Sequence, residues 1–225
     1  MRKCLFQFAM LLAATMVFTA SAFAAEKPSF GVLGGLHFAN LAIDPDPTDA
    51  SLDSIKRGNI GGLVEVGLRP NVSFQARCMY VPKGARLDDV ANEVTLSATT
   101  VIDYVSVPLL VKFQADVGRI RPYAVVGPEL GFKVGAGASL STTASVPQDI
   151  LDMVEKEIND QVKDSVKSTD VALDFGGGIE IPSGRITILL EGLYSLGLRN
   201  IAIPDEGEDG SAKTRTFLFN AGIRF

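Results

Sequence analysis

The sequence has no tryptophan, a single histidine (His37) and two cysteines, Cys4 and Cys78. Only Cys78 lies outside the apolar N-terminal stretch, so an exported chain could not form an intramolecular disulfide, which excludes a small secreted fold held by disulfide bonds. After the first 25 residues no apolar run reaches 18 residues, which argues against a helical membrane span. There are 21 basic and 26 acidic residues without a basic patch, so no nucleic-acid partner is expected.

The N-terminal stretch has the features of a targeting segment. Arg2 and Lys3 precede an apolar run, and the small residues of SAFA (21–24) suit a cleavage site. We predict a cleaved signal peptide over residues 1–24 and one domain over residues 25–225, with a retained anchor as the alternative. Removing the two basic residues leaves 19 basic against 26 acidic residues, a net charge of −7.

Glycine (22) and phenylalanine (13) are abundant, a mixture that favours strands and tight turns. Turn signals divide the mature chain into eight predicted strands, at residues 29–41, 59–69, 72–83, 100–115, 119–135, 170–181, 185–198 and 214–225. Most are long enough to cross a bilayer at a tilt. Their connections alternate between long and short, so all long loops would lie at one end of an up-and-down barrel. Outer-membrane barrels show this asymmetry.

Within the strands, apolar residues recur at every second position, which gives each strand one apolar and one polar face. The apolar faces are predicted to carry Ile60, Gly62, Val64, Val66 and Leu68; Val72, Phe74, Ala76, Cys78 and Tyr80; Val171, Leu173, Phe175, Ile179 and Ile181; Ile186, Ile188, Leu190, Tyr194 and Leu196; and Phe217, Phe219, Ala221, Ile223 and Phe225. A soluble lipocalin-type barrel would turn these faces inward. The sorted loops, export without disulfides and the C-terminal pattern favour the opposite orientation.

The C-terminal pattern is the run FLFNAGIRF (217–225), which ends on an aromatic ring. It resembles the last strand of outer-membrane barrels, which alternates apolar residues and finishes on an aromatic residue, usually Phe. In those proteins this segment is thought to be recognised by the barrel-assembly machinery. The resemblance implies that role for Phe219, Ala221, Ile223 and Phe225.

Unpaired backbone groups cost several kcal/mol each in hydrocarbon, so strands that span a membrane must close into a barrel. Eight strands enclose just enough space for their own side chains. We predict that the charged residues of the polar faces pair inside the lumen: Glu65, Arg77, Lys112, Glu129, Lys133, Asp174, Glu180, Glu191 and Arg224. Such a plugged interior would exclude an open porin.

Two consecutive segments resemble a known family. DYVSVPLLVKF (103–113) followed by RPYAVVGPELGF (121–132) is similar to the paired hairpin of PorT-like outer-membrane β-barrel proteins. The matching positions are Tyr104, Pro108, Lys112, Pro122, Tyr123, Gly127 and Pro128. The resemblance implies an OmpA- or OmpX-type barrel in the outer membrane and little about activity. The long fifth connection departs from the family pattern.

That connection contains the one predicted helix, QDILDMVEKEINDQVKDSVK (148–167), within a loop insertion of about residues 145–168. An apolar stripe with a spacing of four runs along it: Ile150, Val154, Ile158, Val162 and Val166. The helix could be a lid on the barrel mouth or neighbouring loops, or a surface that binds a partner. Membrane-surface binding is disfavoured because acidic residues match or exceed basic ones there.

Two further loop segments are acidic, IDPDPTDASLD (43–53) and PDEGEDG (204–210). Neither has the EF-hand spacing, so solvated loops are expected rather than a divalent-ion site. No catalytic, metal-binding or cofactor-binding residues are predicted, although His37 with an unidentified serine would be the candidate pair of a lipid-A-modifying enzyme. We expect a small outer-membrane protein that acts structurally or binds an envelope or surface partner through its loops. A transport or secretion accessory is the alternative.

Overall fold

A computed structural model describes residues 27–44, 51–91, 94–142, 166–202 and 211–225, together with five separate positions between 153 and 159. The predicted signal peptide, most of the two acidic segments, and Ile150 and Val162 of the predicted helix lie outside the described residues. Within the described part of the chain, no helix combines the length and apolar character needed to cross a bilayer.

Eight strands form one closed antiparallel barrel in which each strand pairs with its neighbours in the chain and the first pairs with the last. The strands are β1 (Ser29–Asp44), β2 (Ser51–Arg69), β3 (Val72–Ala91), β4 (Val94–Gln114), β5 (Arg121–Thr142), β6 (Thr169–Ser183), β7 (Ile186–Gly197) and β8 (Ser211–Arg224). The predicted eight-stranded up-and-down barrel is confirmed. The helix in the third long loop is not, although the five described positions near its centre have helical backbone.

At the long-loop end β2, β3, β4 and β5 extend six to eight residues beyond their predicted ends, and β1 and β8 extend three. The β3–β4 pairing continues through nine residue pairs, from Lys83↔Ile102 to Ala91↔Val94, and β2 starts eight residues before the predicted position 59. The predicted ends were wrong because they relied on the alternation of apolar residues, which stops at the edge of the lipid-facing wall. Backbone pairing between the strands continues beyond that edge. With a tilt near 45° the β3–β4 extension rises about 20 Å beyond the apolar wall.

The connections at the opposite end are tight. Gly118 (φ 71°) and Gly184 (φ 65°) adopt the left-handed conformation that lets the chain reverse within a few residues. The β4–β5 turn runs from residue 115 to 120, longer than the predicted three residues, because Val117 and Ile120 form a bridge of their own.

The apolar faces point outward. Exposed apolar side chains cover the outer wall from the short turns up to the level of Lys56, Asp103 and Arg215. They include Phe30, Val32, Leu36, Phe38, Ile60, Phe113, Val126, Leu130, Phe175, Leu190, Phe217, Phe219 and Ile223. Val66 is only 4% exposed, although it pairs with Phe74 of the predicted apolar face in unbroken register.

The interior differs from the prediction because it is only partly polar. Ten buried residues form an apolar cluster within the lumen: Leu33, Leu63, Met79, Val81, Leu110, Tyr123, Val125, Leu189, Leu193 and Leu218. Most of them are inward-facing neighbours of the charged residues on the same strands. Because so narrow a barrel must be filled by side chains, apolar packing occupies the space that the ion pairs leave.

Candidate functional site

The lumen near the short-turn end holds a charge network around Lys112. Lys112 Nζ lies 3.0 Å from Glu65 Oε1 and also contacts Glu180. Arg224 bridges the same two carboxylates, with Nη2 donating to Glu180 Oε2 at 2.9 Å. Gln75 Nε2 donates to Glu65 at 2.6 Å. Two cations and two carboxylates therefore neutralise each other across β2, β4, β6 and β8.

A second ion pair lies farther inside. Arg77 binds Glu191 through two parallel hydrogen bonds of 2.6 and 2.7 Å, the geometry in which guanidinium and carboxylate interact best. Tyr123 Oη also donates to Glu191, at 3.1 Å. A void of about 10 Å³ lies beside these residues and Asn220, about the space that one water molecule needs.

A third group lies toward the long-loop end and centres on Lys83, which is absent from the predicted network. Lys83 Nζ lies 2.7 Å from Glu129 Oε1 and 3.3 Å from Asp170 Oδ2. Thr214 Oγ1 donates to the same Asp170 oxygen at 2.8 Å. Asp170 was also missed, because it lies at the start of its predicted strand, where the facing direction is not readable from the sequence.

One row of polar side chains beside Lys83 lacks partners. Asp174, Ser195 and Thr216 are direct cross-strand neighbours on β6, β7 and β8 and are at most 1% exposed. Among the described residues, neither carboxylate oxygen of Asp174 and neither hydroxyl has a hydrogen-bond partner. Glu129, Asp170 and Asp174 thus place three carboxyl groups near one lysine in a buried space.

Lys133 was also predicted to belong to the luminal network, but it lies apart from the three charge groups. It is partly buried at the mouth of the barrel, where its ammonium donates to the carbonyl oxygen of Val166. Its backbone N–H donates to Ser168 O at 2.9 Å. Lys133 therefore holds the segment that follows the third long loop.

Irregular segments continue the wall above β6 and β7. Backbone hydrogen bonds join Lys167 to Ile201 (2.8 Å) and Ile201 to Ala212 (2.9 Å). Ile201, Ile102 and Tyr104 are at most 1% exposed and form a second apolar cluster. The cluster adjoins the Lys83 group, since Lys83 Nζ lies 5.5 Å from the centroid of the Tyr104 ring.

The predicted helix residues fall into different environments. Val166 is not helical, because it forms a β-bridge with Ala202 and packs on the mouth cluster. Val154 is 42% exposed and Ile158 is half-buried. Asn159 accepts a hydrogen bond from the backbone N–H of Ala138 on β5. Ala138 lies on the part of β5 that extends beyond its pairing with β6. The helical positions thus lie beside the β5 extension.

The four residues of the predicted assembly signal share the outer face of β8. Phe219, Ile223 and Phe225 are 54%, 39% and 66% exposed, and Ala221 is exposed as well. Phe225 N donates to Phe30 O at 2.8 Å, which ties the end of the chain to β1. Recognition of these residues by assembly machinery stays a prediction.

The described residues show neither a catalytic arrangement nor a metal centre. His37 is fully buried and contacts the carbonyl oxygen of Pro82 through Nε2, while Nδ1 has no partner. No serine among the described residues bonds to it. No group of three or more His, Cys, Asp or Glu side chains in the described ranges could hold a metal ion.

Comparison with known proteins gave one family match. A model described as an outer membrane protein beta-barrel domain matches residues 23–202. A comparison with curated proteins gave no match. The narrower PorT-like resemblance stays a prediction.

Solved structures of similar shape include Neisserial surface protein A, at 12% identity over 88% of this chain and 98% of that chain, with a TM-score of 0.46. OprG from Pseudomonas aeruginosa is 11% identical over 90% of this chain and 98% of its own, with a TM-score of 0.45. Outer membrane protein W of E. coli is 12% identical over 89% and 100%, with a TM-score of 0.45.

Proposed function

The chain belongs to the outer membrane β-barrel domain family, whose model matches most of its length, and from this membership we propose that it is a non-conducting integral protein that binds partners through its long-loop end. The family match confirms the predicted outer-membrane location. It leaves open whether the protein acts structurally, in binding or in transport. The filled lumen is the observation that carries the proposal.

The lumen is occupied along its length by buried side chains. Three groups of charged residues alternate with apolar side chains along it, and the cluster of Ile102, Tyr104 and Ile201 lies toward the long loops. Buried ions that are paired and packed in this way leave no continuous water path, and dehydrating a permeating ion would cost many kcal/mol. The barrel therefore supports binding at its surface better than transport through its interior.

Electrical recording tests the closed lumen. The mature protein, folded in a planar bilayer, should give no conductance steps at neutral pH, whereas a general porin in the same bilayer should conduct. The variant Arg77→Ala/Tyr123→Ala removes two large side chains around the void and should admit ions. Reproducible conductance steps from the folded wild-type protein would contradict the proposal.

The long-loop end has the surface that a binding role needs. The paired strands β3, β4 and β5 continue beyond the apolar wall, and Asn159 fixes the following loop along the β5 edge. A rigid sheet that carries a loop at its edge can present a defined surface to another molecule, since binding residues commonly lie on loops held by a scaffold.

Cross-linking in intact envelopes tests this role. Replacing residues 145–165 with a short Gly/Ser linker should abolish cross-links formed through the long-loop end, while heat-modifiable migration on a gel reports that the barrel still folds. The conservative control is Asn159→Ala, which should keep most cross-links and loosen only the loop anchor. An unchanged cross-link pattern in the shortened protein would show that this loop binds nothing.

We also propose that the protein is not an enzyme. Burial of His37 inside the wall, without a serine partner among the described residues, supports this view. Mass analysis of lipid A from cells that carry wild type or His37→Ala should give identical spectra. The secretion-accessory alternative, suggested by the PorT-like resemblance, predicts instead that loss of the protein changes the set of secreted proteins.

A further inference from the structure

An aromatic band crosses the outer face of four adjacent strands. Phe38 (β1), Phe219 and Phe217 (β8), Tyr194 (β7) and Phe175 (β6) form a continuous chain of ring contacts with centroid distances between 5.0 and 6.3 Å. The four phenylalanine rings are 39–54% exposed. The band therefore forms a broad, stiff apolar surface directed at lipid, just below the margin of the apolar wall.

Three exposed cations border this band on the long-loop side. Lys56 on β2 is the cross-strand partner of Phe38 on β1, and its Nζ lies 5.6 Å from the centroid of the Phe38 ring. Arg215 and Lys213 lie on the same outer face of β8 as Phe217, on its long-loop side. No carboxylate among the described residues forms an ion pair with any of the three, although the chain as a whole is acidic. We call Lys56, Lys213 and Arg215 the basic rim.

The spacing of the basic rim suits a ligand with more than one negative group. Lys56 and Arg215 lie on the two strands that flank β1, so roughly 10 Å separates them, two strand spacings. The opposite side of the barrel lacks the arrangement. There the wall ends at Asp103, whose carboxylate accepts a 2.8 Å hydrogen bond from Tyr80 Oη. Cations therefore border the rings of the aromatic band on the face formed by β1, β2 and β8.

We propose that the aromatic band and the basic rim together bind one phosphorylated glycolipid of the outer leaflet. The acyl chains lie against the rings, and the sugar-linked phosphates contact Lys56, Lys213 and Arg215 at the level where hydrocarbon gives way to water. The basic rim lies at the long-loop end, which faces outward in such barrels, so the ligand is lipopolysaccharide rather than a glycerophospholipid of the inner leaflet. Cations near an anionic membrane surface attract such groups, and partial exclusion of water strengthens the attraction.

Retention of lipid by the purified protein tests the site. The full mature protein is incubated in detergent with lipopolysaccharide, and bound lipid is counted by native mass spectrometry. Lys213→Gln/Arg215→Gln should reduce the affinity about fivefold per charge, about 25-fold for the pair. Two further lipids should bind the wild-type protein as weakly as intact lipopolysaccharide binds this variant. They are phosphatase-treated lipopolysaccharide and phosphatidylglycerol.

The matched control removes the same charge from the other end of the barrel. Arg119 and Arg185 are exposed at the short turns, so Arg119→Gln/Arg185→Gln should leave retention unchanged. Lys213→Arg/Arg215→Lys keeps the charge and should retain lipid as wild type does. Heat-modifiable migration shows that each variant is folded. Equal retention by the wild type and the Lys213/Arg215 variant, or equal loss in the short-turn control, would overturn the proposal.

Discussion

Buried carboxylates in the lumen differ in their surroundings, and this difference sets what each contributes to stability. Asp170 accepts hydrogen bonds from Lys83 and Thr214. Asp174 lies four residues farther along the same strand and is equally buried, and neither of its oxygens has a hydrogen-bond partner among the described residues. A buried charge is tolerated when it is paired and is costly when it is not. The two aspartates should therefore respond in opposite ways to the same substitution.

Asp170→Asn should lower the free energy of unfolding by about 3 kcal/mol, because Lys83 loses one of its two counter-charges. Asp174→Asn should leave it unchanged or raise it, because the amide keeps the shape of the side chain and no ion pair among the described residues is lost. Urea titration of the folded barrels in lipid vesicles measures both. A marked loss of stability in Asp174→Asn would mean that this carboxylate has a partner that it needs.

At the scale of the strand, close backbone approach limits which residues fit. Gly35 on β1 stands opposite Asn220 on β8. A Cβ atom at Gly35 would lie 1.8 Å from the carbonyl oxygen of Phe219, whereas one at Gly192 on β7 would meet nothing within 4 Å. The seam that joins the first strand to the last is thus tight at this point, and closure of the barrel depends on it.

Gly35→Ala should destabilise the barrel by about 3 kcal/mol, because the methyl group forces β1 and β8 apart. Gly192→Ala is the matched control and should change stability by less than about 0.5 kcal/mol, since the methyl group enters open space beside lipid. Refolding yield into vesicles, scored by heat-modifiable migration, separates the two. Equal yields would mean that the seam can relax around the added group.

For the whole molecule, the uncharged outer wall determines its position in the membrane. Leu190 lies on the outward face of β7 within the wall and is 45% exposed. Ile120 is similarly exposed, at 42%, but lies in the turn between β4 and β5. The same change from an aliphatic residue to arginine would place one charge in hydrocarbon and the other at the membrane–water interface.

Leu190→Arg should cost about 2–4 kcal/mol in a bilayer, and Ile120→Arg about 0–1 kcal/mol. Unfolding in vesicles by denaturant measures both, and the difference should shrink in detergent micelles, where the charge reaches water more easily. If the two variants were equally stable in vesicles, the apolar wall would not be the surface that spans the membrane.

Much of the architecture was readable from the sequence, and particular residues show where this stopped. The period of two in FLFNAGIRF gave the outward direction of Phe217, Phe219 and Ile223. It did not show that Val66 would be almost fully covered. The spacing of four extended the predicted helix through Val166, which instead forms a β-bridge with Ala202, a residue distant in sequence.

The sequence by itself determined the number of strands, their order and the side of each that meets lipid. These properties follow from local alternation and from the rule that no backbone group may remain unpaired in hydrocarbon. Only the tertiary structure decided that Arg77 meets Glu191, that Lys83 faces three carboxylates, and that cations border the aromatic band on one face. Such contacts depend on the stagger between strands around the closed barrel, and stagger is set by the packing of all eight strands together.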